Sequence, residues 1–142
     1  MTVEINVLSE ALGAEVVGLD LSSPVAESDV AAIQRAFLDH HLLCIRGKAL
    51  KADTFARVAR YFGEPQLQLL RDQRVEVTPE VSILESTYKS PQDKPDDLAM
   101  VRLSGWHTDD SYFAAPCKAT MLQGLMLPSG RRNAFLQYAQ SL

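Results

Sequence analysis

The segment Gly105-Trp106-His107-Thr108-Asp109-Asp110-Ser111-Tyr112 decides how this chain is read. In extended backbone, side chains two residues apart point to the same side. His107 and Asp109 therefore project together, and Thr108 faces away. An imidazole and a carboxylate on one face are two of the three protein ligands of a 2-His-1-carboxylate triad, the usual cage for non-haem Fe(II). A bare His-x-Asp triplet is weak alone, because such triplets arise often by chance and a solvated turn or a satisfied core pair is the ordinary alternative. Trp106, Tyr112 and Phe113 flank the pair and Pro116 follows. Those rings suit an aromatic wall that excludes water and steadies the imidazole, and they equally suit a plain core. No histidine follows His107. The other two, His40 and His41, fall at the end of a predicted helix, where the negative end of the dipole favours a cation, and that structural role is the one assigned to them.

The 142 residues fit one domain, 46% of them apolar. The formal net charge is −4, so no basic field invites nucleic acid. Met1-Thr2-Val3-Glu4 carries neither a basic n-region nor an apolar h-segment, and no apolar run nears a membrane span. Cys44 and Cys117 are far apart and outside any Cys-x-x-Cys pattern, so they are expected as reduced structural thiols in a cytoplasmic protein.

Working back from the His/Asp segment, residues 86–104 are polar, with Pro91 and Pro95, and read as a long loop that lines or covers a site. Tyr88, Leu103 and Ser104 are its candidates for substrate contact, while Asp93, Asp96 and Asp97 read as a solvated face. Residues 81–84 are strand-like and 66–79 carry no clear period. Earlier, alternation over 3–7 and a short run at 14–17 across Gly13 predict a hairpin. Ser28 suits an N-cap for a helix over 29–40, with Val30, Ile33, Phe37 and Leu38 on its apolar face. Residues 42–45 read as a buried strand. A second helix is predicted over 53–62, with Phe55, Val58, Ala59 and Phe62 inward and Gly63 as its stop. Beyond the motif, 119–127 reads as a strand, and the tail 131–142 as a weak short helix.

Several of these stretches together resemble the TauD/TfdA-like Fe(II)/2-oxoglutarate-dependent dioxygenases. The resemblance is carried by Gly13-Ala14-Glu15-Val16 with Gly18-Leu19-Asp20-Leu21, the helix-to-strand run 37–46, Arg60-Tyr61-Phe62-Gly63-Glu64, Trp106-His107-Thr108-Asp109 and Leu127-Pro128-Ser129-Gly130. It spans nearly the whole chain up to Gly130. It implies a mainly β, α+β fold: part of a jelly-roll (double-stranded β-helix) core preceded by two helices. It further implies His107 and Asp109 as iron ligands, with Fe(II), 2-oxoglutarate as co-substrate and molecular oxygen. The implied reaction hydroxylates a small organic molecule while 2-oxoglutarate is decarboxylated to succinate.

The departures from the family pattern are specific. The family's third ligand, a downstream histidine, and the arginine that holds the co-substrate carboxylate have no counterpart here. The expectation is therefore a single domain, 1–142, without the C-terminal part of the fold and with little or no turnover of its own. After Leu127-Pro128-Ser129-Gly130 the family usually continues Gly-Gly-acid-Thr-Leu, whereas this chain reads Arg131-Arg132-Asn133-Ala134-Phe135-Leu136. Suitable codons for that stretch, read one base later, give Gly-Gly-Thr-Leu-Phe-Ser-Asn, so 131–142 is expected to be an aberrant, frameshifted tail. Pro65-Gln66-Leu67-Gln68 stands where the taurine enzymes carry histidines, which argues against taurine as substrate. The alternative expectation is a non-catalytic binding or assembly module. Exposed strand edges would then be covered by a partner or by a second copy in a homo-oligomer.

Overall fold

The computed structural model describes residues 3–68, 71–84 and 112–126, together with the backbone of 136–141. It is a small α+β arrangement with one sheet of three strands and one of four.

The first sheet grows from the hairpin foreseen in the sequence. β1 (Glu4–Val7) pairs antiparallel with β2 (Ala14–Val17), with Ile5 opposite Val16. Gly13 makes the return possible: its φ is +98°, a backbone conformation that residues with a side chain rarely adopt. The chain then crosses over through α1 (Glu27–His40) to β3 (Leu43–Ile45), which lies parallel to β2. A parallel neighbour requires such a crossover. α1 begins two residues earlier than its sequence suggests. Its cap is Ala26, which makes no side-chain capping bond, so Ser28 sits inside the first turn rather than capping it. Glu27 and Asp29 in that turn supply the negative charge the helix start favours. Its buried residues are Ile33 and Ala36. Leu38, expected inward, is exposed, because the helix touches the sheet along a narrow stripe.

α2 (Ala52–Ala59) buries Phe55, Ala56, Val58 and Ala59. It stops at Arg60, earlier than the predicted end, and Tyr61 and Phe62 continue in tight turns bonded back to Val58 and Ala59. The helix thereby joins two cores. Phe55, Ala56 and Ala59 pack on Val81, with Leu50, Val75 and Met121 around them. Val16, Leu19 and Ile33 form the other core, which Tyr61 and Phe62 close from the helix end. Val81 is fully buried, and burying a valine side chain contributes about 1.5–3 kcal/mol.

The second sheet has the order β4 (Arg74–Val75), β5 (Thr78–Ile83), β7 (Leu136–Ser141), β6 (Ala119–Gly124). A short helical turn, Arg71–Gln73, leads into β4. The weak pattern of the tail predicts a short helix, and the structure has a strand there instead. Residues 136–141 form a strand inserted between β5 and β6, with Tyr138 opposite both Ser82 and Leu122. Strand pairing on both sides overrides a weak local pattern.

Candidate functional site

His107 and Asp109, and the loop candidates Tyr88, Leu103 and Ser104, lie outside the described residues, as do Trp106, Asp110 and Asp93, Asp96 and Asp97. Among the described residues, no group of three or more His, Cys, Asp or Glu side chains could hold a metal ion. His40 and His41 sit where the sequence placed them, as the last residue of α1 and its C-cap. The His41 amide donates to the Phe37 carbonyl at 2.8 Å, and its φ of 62° is left-handed, a conformation usually taken by glycine or asparagine at this position. Cys44 and Cys117 are both free thiols, in line with the sequence reading. Tyr112 and Phe113, which flank the motif, pack against each other in a tilted pair with ring centroids 4.7 Å apart. They are 67% and 39% exposed, so neither is core.

The described residues surround a cleft of about 440 Å³ between the two sheets. One wall is Phe37, His41, Leu42, Leu43, Ile45 and Phe62; the other is the run Cys117–Met121 at the start of β6. β3 and β6 are each the end strand of their sheet among the described residues, so the cleft runs between two sheet edges. Phe37 and Phe62 meet edge-to-face at 5.6 Å in its floor.

Two polar clusters hold these walls. Arg57 donates to the carbonyls of Leu21 at 2.9 Å and Ser23 at 3.2 Å, and to the Tyr61 hydroxyl at 2.9 Å. That hydroxyl oxygen also accepts from the Val25 amide, and the Gln34 side chain donates to the Tyr61 carbonyl. The turn that presents Phe62 is thus fixed from three sides. On the opposite wall, the Gln123 amide pairs with the backbone of Leu50 in both directions. Leu50 N–H donates to Oε1 at 2.8 Å, and Nε2 donates to the Leu50 carbonyl at 3.0 Å. Sequence reading missed this clamp, although a signal was present. Met121 and Gln123 share one face of β6, and an amide on the face that packs inward needs partners.

Below the cleft, Gln68 straps the chain to β5, donating from its side chain to the Glu80 carbonyl and accepting from Arg74 at its own carbonyl. Arg60 reaches Glu80 at 2.7 Å. Burial opposes the Glu80 charge, but its own backbone amide, the Arg60 hydrogen bond and the Arg60 charge outweigh it and hold the carboxyl below its ordinary value. Arg46 is raised, first by its hydrogen bond to Glu15, and that exposed pair adds little stability. Ser82 is buried, and its hydroxyl has no hydrogen-bond partner among the described residues. No helix among the described residues is long and apolar enough to cross a membrane.

Comparison with known proteins extends the motif reading. The family model described as taurine catabolism dioxygenase TauD, TfdA family matches residues 4–133. An alkylsulfatase of Acinetobacter baylyi (strain ATCC 33305 / BD413 / ADP1) is 29% identical over 126 residues, which are 88% of this chain and 36% of that protein. An alpha-ketoglutarate-dependent sulfate ester dioxygenase of Pseudomonas putida is 26% identical over 130 residues, 91% of this chain and 39% of that one. The crystal structure of a taurine dioxygenase from Burkholderia xenovorans superposes with a TM-score of 0.74 at 28% identity, over 92% of this chain and 42% of that chain. The chain thus spans well under half the length of each of these relatives.

Proposed function

The chain belongs to the TauD, TfdA family of dioxygenases, and on that premise we propose that it is the Fe(II)- and 2-oxoglutarate-binding part of a dioxygenase that hydroxylates a small organic substrate. One observation carries this reading: the family match over residues 4–133 contains Trp106-His107-Thr108-Asp109. The fold proposed for the whole is a jelly roll, of which the two small sheets are a part. The substrate class proposed is a sulfate ester, since the two curated relatives are named for that chemistry.

The donor set fits iron in kind. Imidazole nitrogen and carboxylate oxygen are what Fe(II) takes in a facial triad, and His107 and Asp109 would hold it. In number the set is one histidine short. His40 and His41, at the end of α1, belong to no metal-holding group among the described residues. When bound, iron with 2-oxoglutarate and oxygen supplies the oxidising power, and 2-oxoglutarate leaves as succinate and carbon dioxide. This chain's own residues contribute positioning. The Arg57–Tyr61 network and the Gln123–Leu50 clamp hold both sheets against α2, so the segment between β5 and β6 starts and ends on fixed strands. A second reading, an assembly module that associates through strand edges as a homo-oligomer, is favoured by β3 and β6 each ending a sheet among the described residues.

Anaerobic titration with Fe(II) and 2-oxoglutarate separates the two readings. The dioxygenase reading expects a metal-to-ligand charge-transfer band and succinate when oxygen is admitted. Folded protein giving neither would reject catalysis by this chain and leave the assembly reading. Asp109→Ala is expected to abolish iron binding, and unchanged iron affinity would remove Asp109 from the ligand set.

A further inference from the structure

We infer that β1 is a self-complementary edge through which two copies of this chain join, antiparallel, about a two-fold axis at Ile5. β1 ends its sheet among the described residues and pairs there only with β2. The Leu8 amide donates to the Gly13 carbonyl across the hairpin at 2.9 Å. Backbone groups alternate sides along an antiparallel strand, so Asn6 and Glu4 also turn theirs to β2. Ile5 and Val7, with Val3 just before the strand, therefore turn N–H and C=O outward to the open edge. Their side chains share one face. Ile5 lies opposite Val16, which is buried in the core with Ile33 of α1. The apolar face of the sheet thus continues past β2 to an edge where Val7 is 61% exposed, and Leu8 and Leu12 of the hairpin turn are exposed too. An open edge of this kind is a template for a further strand.

The occupant is a second copy because the strand matches itself in one register. An axis at Ile5 sets Ile5 opposite the partner's Ile5 and Val3 opposite the partner's Val7. These residues turn their backbone groups toward each other, so each pair exchanges both of its hydrogen bonds, and the apolar face runs unbroken across the joint. On the other face Glu4 meets the partner's Asn6, a carboxylate opposite an amide. Moving the axis to Glu4 sets that carboxylate opposite the partner's Glu4, which like charge opposes. Moving it to Asn6 leaves Val3 without an opposite residue in the strand. The same patch then serves both subunits, the condition for a closed two-fold dimer. The inference uses neither the cleft nor the iron motif, and β1 is a different edge from the β3 and β6 of the assembly reading.

Sedimentation equilibrium of the full chain over a concentration series should show a monomer–dimer equilibrium. Ile5→Pro removes the N–H that the pairing uses at the axis and leaves the bonds to β2, since proline is tolerated where an edge N–H faces away from its own sheet. Each subunit loses a hydrogen bond, so dimerisation should weaken roughly ten- to a hundredfold. Circular dichroism reports whether that variant is folded. The register is read by disulfide capture in a Cys44→Ser, Cys117→Ser background. Glu4→Cys and Asn6→Cys, at two exposed positions, are treated with a mild oxidant separately and as a mixture. The mixture should crosslink, because facing residues of a non-hydrogen-bonded pair have Cα atoms about 4.5 Å apart, and neither variant should crosslink alone. This capture decides the matter even where Ile5→Pro does not fold. A chain that stays monomeric throughout the series, a dimer that folded Ile5→Pro leaves unweakened, or capture of Glu4→Cys by itself without capture in the mixture would each overturn the inference. A dimer that survives Ile5→Pro would return association to β3 and β6, and the Fe(II) titration tests the dioxygenase reading separately.

Discussion

Replacing Gln123 by methionine tests whether β6 is held in the way the geometry indicates. The side chain keeps its length and its apolar stem but loses both polar atoms. Two hydrogen bonds to Leu50, at 2.8 and 3.0 Å, disappear together. Each neutral hydrogen bond contributes about 1 kcal/mol net, and a buried amide left without a partner costs about 1–3 kcal/mol. Leu50 is only half-buried, so water recovers part of that cost and the expected total is about 2 kcal/mol. For a domain of this size, that corresponds to a fall in Tm of roughly 5–10 °C. Gln123→Glu discriminates further. One carboxylate oxygen still accepts from Leu50 N–H, while the other faces the Leu50 carbonyl, so this variant should be at least as unstable at neutral pH and regain stability in acid. Urea denaturation gives the free energies, and hydrogen exchange at the Leu50 amide reports the bond directly. A methionine variant within about 0.5 kcal/mol of the parent, with Leu50 exchange unchanged, would refute the clamp.

His41→Gly should stabilise the protein by up to about 1 kcal/mol, because glycine adopts the left-handed cap without a Cβ clash, and thermal melts check it. The Glu80 carboxyl is held below its ordinary value, so its contribution is complete above about pH 4.3 and is lost as pH falls through the folded-state value. Glu80→Gln should therefore be less stable at neutral pH and show a flatter acid limb in urea titrations from pH 7 to 3. If 131–142 is a frameshifted tail, the encoding DNA read one base later should give a Gly-Gly-Thr-Leu run and then a family-like histidine and arginine region. A shifted frame interrupted by stops would end that proposal.

Legibility followed the strength of local signals. The β1–β2 hairpin was readable because Val3, Ile5 and Val7 alternate up to a glycine that must take positive φ. α2 was readable because Phe55, Val58 and Ala59 fall on one helical face, but its end was misjudged: Phe62 reaches its core from a turn rather than from the helix. Leu38 was misplaced because spacing says which residues share a face and not how much of that face is covered. The Leu136-x-Tyr138 alternation was present but too short to announce a strand, and its position depends on β5 and β6, which are distant in sequence. The iron motif was legible only as a motif, in residue types and spacing. The cleft could not be read in advance, since its two walls come from segments that only the sheet edges bring together.

The division of the interior into two cores has a consequence for how the chain acquires its shape. β1, β2, α1 and β3 contact one another over short sequence distances, so that half can collapse early and at low entropic cost. The other sheet is a late event: Ser82 must find Tyr138, and Gln123 must find Leu50, 73 residues away. Closing such loops is slow even when the finished contacts are strong. Until they close, Val81 and Met121 face solvent, and the half-formed protein is at its most vulnerable to aggregation and proteolysis.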